Sequence, residues 1–444
     1  MEANQMRITH RSPNVKLRVI QLTALIFFTV SGGPFGLEPL ISNAGKHGSL
    51  LILLLIPVFW VLPIAVSVLE LNGMMPLVGG YYQWIKRSLG LRWAFYMGWW
   101  TWLNAFIDLA IYPKLLVEYA AFIIPSITNL KIIIYLSIVW INAGLNIRGI
   151  VPVAKTTIVL GTLLITPFLL LFVATFFHNA TPIIIPKLSF KGTDLSSLGL
   201  ATYIVIWNFM GWDDITTYSN EVEKPANTYL LSVCIAFCVI FSIYFLSTLV
   251  AINSNISPSV FGNEGFPALG SMVAGEWLGI LISLAGIASA LGLFSSILLS
   301  ISRVPKAIAE DGILPAKFSE PHPKYHTPYV SIIISALFVS CLSLWTFNDL
   351  VIVDVLLYGA KLVLEMIALI RMRQKSPHEY RPFKIPLGIP GLIVVASFPL
   401  AILFIVILAL ILSTKMKYTL LWAIFLLFTA DLAWRIRSRK RRAQ

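Results

Sequence analysis

The sequence predicts an all-α polytopic membrane protein with twelve transmembrane helices. Three observations predict it. The chain of 444 residues is 58% hydrophobic and only 12% charged, whereas an ordinary globular domain is roughly 45–50% apolar and about 25% charged. Its mean hydropathy is +0.84. Its apolar residues gather into runs of the length, roughly 17–25 residues, that a helix needs to cross a bilayer. Too little polar surface remains to cover such a core in water. A soluble enzyme, a secreted disulfide scaffold and a disordered chain are therefore excluded.

The runs cover residues 19–43, 48–72, 92–124, 130–147, 152–177, 196–219, 228–252, 270–302, 328–346, 349–372, 391–413 and 416–434. The third and eighth are long, which predicts tilt or extension past the membrane. The first follows a polar tail at 1–18 and has no small-residue cleavage site, so it reads as a retained span. No connecting segment is long enough for a soluble domain. The organisation expected is a cytoplasmic tail (1–18), a first five-helix unit (19–177), a second (196–372), two further helices (391–434) and a basic tail (435–444).

The net charge of +13 does not point to nucleic acid. The charges lie between apolar runs, not along one polar face. With the N-terminus inside, 25 of the 33 lysines and arginines fall on inner segments, among them Arg7, Arg11, Lys16, Arg18, Lys86, Arg87, Arg303 and the cluster from Arg435 to Arg442. Six fall outside, including Lys187, Lys191 and Lys415, while Lys114 and Lys361 lie within runs. Cytoplasmic loops of membrane proteins carry this excess. Both termini are expected in the cytoplasm, with the chain in a plasma or inner cell membrane. Cys234, Cys238 and Cys341 sit in apolar runs, have no disulfide or zinc spacing, and read as packing residues. No metal or cofactor is expected.

Two interruptions carry the functional argument. Ser31-Gly32-Gly33-Pro34-Phe35-Gly36 breaks the first run, where glycines and a proline are costly in a helix. Broken backbone at membrane depth is tolerated only where protein buries it or it lines a cavity. A kink packed on a neighbour is one reading. The other is an unwound binding site, with the Gly32 and Gly33 amides free for an anion and carbonyls free for a cation. The second interruption is Trp207-Asn208-Phe209-Met210-Gly211-Trp212-Asp213-Asp214 in the sixth run. Runs one and six correspond if runs 1–5 and 6–10 are repeats. Interruptions at matching places point to a transporter binding site.

Carboxylates at membrane depth are expensive and are functional candidates. Glu38 follows the first break, Asp108 lies in the third run, and Asp213 follows the second break. Their plainer readings are helix caps for Glu38 and Asp213 and a structural partner of Lys114 or a backbone amide for Asp108. Lys361 and Glu365, four apart, read as a local ion pair. All six histidines lie outside the runs, so a coupled proton would have to ride on a carboxylate, Glu38 or Asp213. Ser295 and Ser296, near Gly292, could ligate sodium, or could simply pack helices. Two sequons, Asn179-Ala180-Thr181 and Asn255-Ile256-Ser257, are each followed by proline and carry little weight.

These residues resemble the amino acid–polyamine–organocation superfamily over most of the chain. The resemblance rests on SGGPFGLE at Ser31 to Glu38, Gly79-Gly80-Tyr81-Tyr82-Gln83-Trp84, Glu221-Val222-Glu223-Lys224-Pro225, Ser302-Arg303 through Glu310-Asp311-Gly312-Ile313-Leu314-Pro315, His322-Pro323-Lys324-Tyr325 and Arg381-Pro382-Phe383. GGPFGLE, Ile107-Asp108 to Tyr112-Pro113 and Trp207-Asn208 to Trp212-Asp213 look closest to its plant and protist polyamine-uptake branch. The resemblance implies a LeuT-type fold, with two inverted five-helix repeats plus two C-terminal helices. It implies alternating access and uptake driven by a proton gradient. Many relatives carry a lysine in span five in place of a sodium ion. Leu164 stands near that position here, which counts against lysine-based coupling.

The expected function is secondary transport of a small amine, polyamine or cationic amino acid, with a proton or sodium ion as coupling ion. The expected substrate residues are Ser31, Gly32, Gly33, Phe35, Glu38, Asp108, Trp207, Asn208, Gly211, Trp212, Asp213 and Tyr358. Carboxylates and aromatic faces suit a polycation. A neutral amino acid would use the Gly32 and Gly33 amides, which are also present. A neutral amino-acid permease or exchanger, and a nutrient sensor on the same scaffold, stay open. An enzyme would need a nucleophile with its base or a metal cluster, and neither pattern occurs in the runs.

Overall fold

Helices make up nearly all regular structure among the described residues. The exception is an isolated bridge between Leu17 and Val222. The computed structural model describes residues 16–77, 79–178, 184–191, 193–254, 256–412 and 417–442. Arg7, Arg11, Asn179, Asn255 and Lys415 lie outside the described residues.

The first predicted run divides as its glycines demand. Helix α1 (Val19–Val30) ends at Ser31, and α2 (Pro39–Ile56) begins after Glu38. Between them Gly32, Gly33 and Gly36 take positive φ, which only glycine adopts freely. A π-helical turn (Pro57–Val61) joins α2 to α3 (Leu62–Met74). A short α4 (Gly80–Leu89) precedes α5 (Leu91–Leu109) and α6 (Tyr112–Ile123). These last two are the third predicted run, bent at Ala110–Ile111. Pro113 causes the bend, because it lacks the N–H that would bond Leu109 and its ring crowds that carbonyl.

Helices α7 (Lys131–Ile147) and α8 (Ile150–His178) complete the first half. Helix α9 (Leu195–Asn208) is capped by Asp194, whose carboxylate accepts the Ser197 amide at 2.6 Å. It stops before Gly211, at φ +93°, and the chain resumes as a 3₁₀ segment, Asp214–Glu221. Then come α10 (Pro225–Asn253), α11 (Pro258–Ala274), α12 (Glu276–Ile301), α13 (Arg303–Glu310), α14 (Tyr329–Leu342), α15 (Phe347–Lys375), α16 (Ile389–Leu412) and α17 (Lys417–Arg442).

Among the described residues, seven helical stretches are long and apolar enough to cross a membrane. They correspond to predicted runs two, four, five, seven, eight, eleven and twelve. The others fall short for visible reasons. The first and sixth are broken, the third bends and its longer part carries Arg92, Asn104 and Asp108, the ninth stops after 14 residues, and the tenth carries Asp354, Lys361 and Glu365.

Helix α1 packs on α8, α10 and α12. Close approach depends on small residues, as in other membrane bundles. A Cβ at Gly292 would meet Phe28 at 2.4 Å, and one at Gly286 would meet Tyr119 at 2.5 Å. The cysteines correct the sequence reading. Cys234, Cys238 and Cys341 are free and exposed on the outer faces of α10 and α14, not packed inside.

Candidate functional site

The two breaks touch. A Cβ on Gly211 would lie 2.6 Å from the Thr29 carbonyl at the end of α1. Trp207, in the last turn of α9, lays its ring over Gly36, where a Cβ would approach Cζ3 to 2.7 Å. The same indole donates to Asp108 Oδ1 at 3.2 Å. Tyr112, one turn beyond Asp108, donates its hydroxyl to the same carboxylate at 2.7 Å. It also stacks on Trp207, with centroids 6.4 Å apart. Lys114 is not the partner of Asp108; its ammonium donates to the Ser343 carbonyl at 2.6 Å.

A second cluster forms on α15. Asp354, Tyr358, Lys361 and Glu365 recur at helical spacing along one stripe, and all are buried. Tyr358 donates to Asp213 Oδ1 at 2.9 Å. Lys361 Nζ stands 2.9 Å from Asp213 Oδ2 and 3.1 Å from Asp214 Oδ1. Its contact to Asp213 Oδ2 is close in charge but off the line of a hydrogen bond, so that oxygen has no aligned donor. The ammonium also lies over the rings of Tyr358, at 4.4 Å, and Tyr81, at 5.4 Å. The predicted local pair of Lys361 with Glu365 is thus replaced by pairing across to the second break. The reason is that the unwound backbone after Gly211 brings Asp213 and Asp214 to the α15 stripe.

Asp354 links the clusters. Asn104, one turn before Asp108 on α5, donates to Asp354 Oδ1 at 2.5 Å and to its carbonyl at 2.9 Å. Asp354 Oδ2 has no donor among the described residues. Asp213 and Asp214 thus pair with Lys361, Asp354 and Glu365 share its helix, and Asn104 ties Asp354 to the α5 helix that carries Asp108.

Glu38 stands apart. It precedes α2 but does not cap it; its Oε1 accepts the Tyr119 hydroxyl at 2.9 Å. It borders a cavity of about 800 Å³ with Gly36, Tyr119, Glu118, Glu264 and Phe347. Asp213 likewise caps nothing with its side chain. Phe35 packs on Tyr119 and Phe168, at 4.6 and 5.5 Å.

The remaining sequence candidates point elsewhere. Asn208 donates back to the Ile204 carbonyl, and its own carbonyl accepts from Tyr244 on α10. Trp212 is fully buried, 6.2 Å from Phe237 on α10. The first-break amides have internal partners in this conformation. Gly32 N donates to the Phe27 carbonyl at 2.9 Å and Gly33 N to Ser31 Oγ at 3.0 Å. A Cβ on Gly33 would meet Leu164 at 3.0 Å, so Leu164 does face the first break. Ser295 donates to Asn142 at 2.8 Å, while Ser296 Oγ is buried without a partner among the described residues.

Sequence reasoning missed Asp354, Asn104, Tyr112 as a donor, Tyr119 and Glu365. The depth rule applied to Asp108 applies equally to Asp354, and the stripe spacing on α15 was a second signal. Tyr119 and Asn104 carried none.

A family model described as amino acid permease matches residues 17–429. Polyamine transporter RMV1 of Arabidopsis thaliana is 32% identical over 397 residues, covering 88% of this chain and 80% of that protein. Polyamine transporter PUT1 of Oryza sativa subsp. japonica is 32% identical over 399 residues, covering 87% and 73%. Branched-chain amino acid permease BcaP of Bacillus subtilis (strain 168) is 26% identical over 363 residues, covering 73% and 74%.

Proposed function

The chain belongs to the amino acid permease family, and from that premise we propose that it is a secondary transporter of polyamines or related cationic amines. One observation carries the substrate class: Asp108, Asp213, Asp214, Asp354 and Glu365 are buried or half-buried on α5, the second break and α15, and among the described residues Lys361 is the only cation paired with any of them. Charges taken out of water need partners, and a cationic substrate supplies them. Asp354 and Glu365 stand on α15, with Asp213 and Asp214 facing Lys361 between them. Asp354 to Glu365 spans roughly 16 Å at 1.5 Å per residue. A linear chain with several ammonium groups suits such a row. Trp207, Tyr112 and Tyr358 add aromatic faces. A zwitterionic amino acid would need free amides at the first break, and those of Gly32 and Gly33 are already bonded.

The architecture proposed has twelve crossings, with inverted repeats at 19–177 and 196–372, two further helices at 391–434, and both termini in the cytoplasm. Alternating access follows from the two broken helices. The cavity at Glu38 would be the outer vestibule. The opposite end is held by contacts among segments with an inner, basic character. Leu17 pairs with Glu221 and Glu223 through the backbone at 2.9 Å, Arg303 meets Glu221 at 3.0 Å, and Lys86 pairs with Asp311. This conformation is read as closed to the cytoplasm. A proton is the coupling ion proposed. Glu38, Asp213, Ser295 and Ser296 remain its candidate ligands from the sequence.

The test is uptake into proteoliposomes of putrescine, spermidine, arginine and leucine, with and without an inward proton gradient. Concentrative uptake of the amines, stimulated by the gradient, is expected. Uptake of leucine without the amines would replace this reading with a neutral amino-acid permease.

A further inference from the structure

We propose that the cytoplasmic end of α17 is a binding site for anionic phospholipid headgroups, built by one stripe of the helix that changes from apolar side chains to arginine. Helix α17 runs from Lys417 to Arg442, and its part from Tyr418 to Ser438 is long and apolar enough to cross a membrane. Leu421, Phe425, Phe428 and Leu432 follow one another at alternating steps of four and three, which places them on one face. Each is more than half exposed. On a spanning helix such a face meets acyl chains. The same steps carry the register on to positions 435, 439 and 442, and all three are arginine. The Arg435 side chain is 71% exposed although it meets Asp431 at 2.5 Å. The opposite face packs on the protein. Ala423 and Ala430 are buried, Trp434 lies 5.6 Å from Phe95 on α5, and Arg437 donates to the Gly312 carbonyl at 2.9 Å. Arginine thus takes over the lipid-facing stripe where acyl chains give way to headgroups.

The charge of this end calls for an anion. From Arg435 to Gln444 the sequence has six basic residues and no acidic one. Asp431, one turn before them, is already shared by Arg92, Arg435 and Tyr96. A tail that merely stays solvated needs no register. A stripe continuous with lipid-facing leucine and phenylalanine does, and the planar fork of arginine grips a phosphate or carboxylate through two parallel hydrogen bonds. Basic residues beside a membrane surface select anionic lipids. The position has a consequence. Arg437 holds Gly312 from the back of the same turns, and the adjoining Asp311 accepts the Tyr82 hydroxyl at 2.6 Å and pairs with Lys86, both on α4. A lipid that fixes the end of α17 thereby braces the contact between α4 and the loop after α13. The leaflet that the site meets rests on the orientation proposed above, whereas the headgroup site does not.

The experiment is a thermal-melt titration of the purified full-length protein in detergent, with phosphatidylserine, phosphatidylcholine or inorganic phosphate added. A ligand of the folded state raises the melting temperature by mass action. Phosphatidylserine should raise it, and the other two should not. Two double variants locate the effect. Arg439→Gln with Arg442→Gln removes two charges from the stripe, whereas Lys440→Gln with Arg441→Gln removes two from other faces of the same turn. Each arginine near an anionic surface contributes about fivefold, so the first variant should need about 25-fold more phosphatidylserine for the same shift, and the second should stay within about threefold of the wild type. Equal weakening in the two variants, or equal shifts with phosphatidylserine and phosphatidylcholine, overturns the site. A shift with inorganic phosphate as large as that with phosphatidylserine overturns the lipid as its ligand. Protease access to a C-terminal tag in inside-out vesicles reads the orientation separately. Cleavage is expected, and a protected tag overturns the cytoplasmic placement while leaving the titration to decide the headgroup site.

Discussion

Trp207 donates its indole N–H to Asp108 at 3.2 Å, joining the last turn of α9 to the bend between α5 and α6. The carboxylate also accepts from Tyr112. Asn at position 108 keeps an acceptor for both donors and removes only the charge. Asp108→Asn should therefore fold, with a melting temperature near that of the wild type. A charged hydrogen bond contributes about 1.5–3 kcal/mol, so putrescine affinity should fall about 10- to 100-fold. A thermal-shift titration measures both quantities. Unchanged affinity would remove Asp108 from the site.

Gly36 and Gly144 make a matched pair for testing the first break. Gly36 has φ +80°, and a Cβ there would press on Trp207 at 2.7 Å. Gly144 sits within α7 with nothing within 4 Å of a Cβ. Gly36→Ala should cost about 1–3 kcal/mol through backbone strain and displacement of the indole. Gly144→Ala should be neutral, or stabilising by about 0.5–1 kcal/mol. Thermal melts of the two variants decide it, and equal melting temperatures would show that the break is not rigid.

The breaks were legible because their cause is local. Glycine and proline act on their own backbone, and Ser31 to Gly36 and Phe209 to Asp213 both unwind as composition requires. The α5–α6 bend at Pro113 is equally local, and the length of its run is its other sign in the sequence. Partners across helices were not legible. Lys361 and Glu365 have the spacing of a pair on one helix, and nothing near them in sequence announces Asp213. Only the unwinding after Gly211 carries that aspartate to them. Asp354 is a different omission. It obeys the same depth rule as Asp108 but stands inside a strongly apolar stretch. The glycine amides failed as a guide because a break frees a donor only if no local acceptor takes it. Phe27 and Ser31 supply those acceptors here.

Lys361 pairs with both Asp213 and Asp214, so its loss should cost more than an ordinary core substitution. Removing one member of a buried pair leaves the other uncompensated, at about 3–5 kcal/mol. Lys361→Met keeps the length of the side chain and its packing on Tyr358. It should lower the melting temperature sharply. Adding Asp213→Asn to that variant should recover part of the loss, since one stranded charge then disappears. If the double variant is less stable than the single, Lys361 and Asp213 do not compensate one another.

Glu221 should control opening toward the cytoplasm. It closes the 3₁₀ segment after the second break, and Arg303 holds its carboxylate through Nε at 3.0 Å. Its backbone carbonyl meanwhile accepts the Leu17 amide. One residue thus ties the chain before α1 and the start of α13 to the segment that carries Asp213 and Asp214. Glu221→Gln leaves the backbone tie and weakens the charged one. A change of about 1–3 kcal/mol would shift a two-state equilibrium about 5- to 150-fold. Ser300, buried and bonded to Thr217 at 3.1 Å, reports on that shift once replaced by cysteine in a chain whose three native cysteines are serine. Its labelling by a membrane-impermeant thiol reagent in inside-out vesicles should rise at least severalfold in the Glu221→Gln background. Equal labelling in both backgrounds would mean that the Arg303 contact is not what keeps the inner side shut.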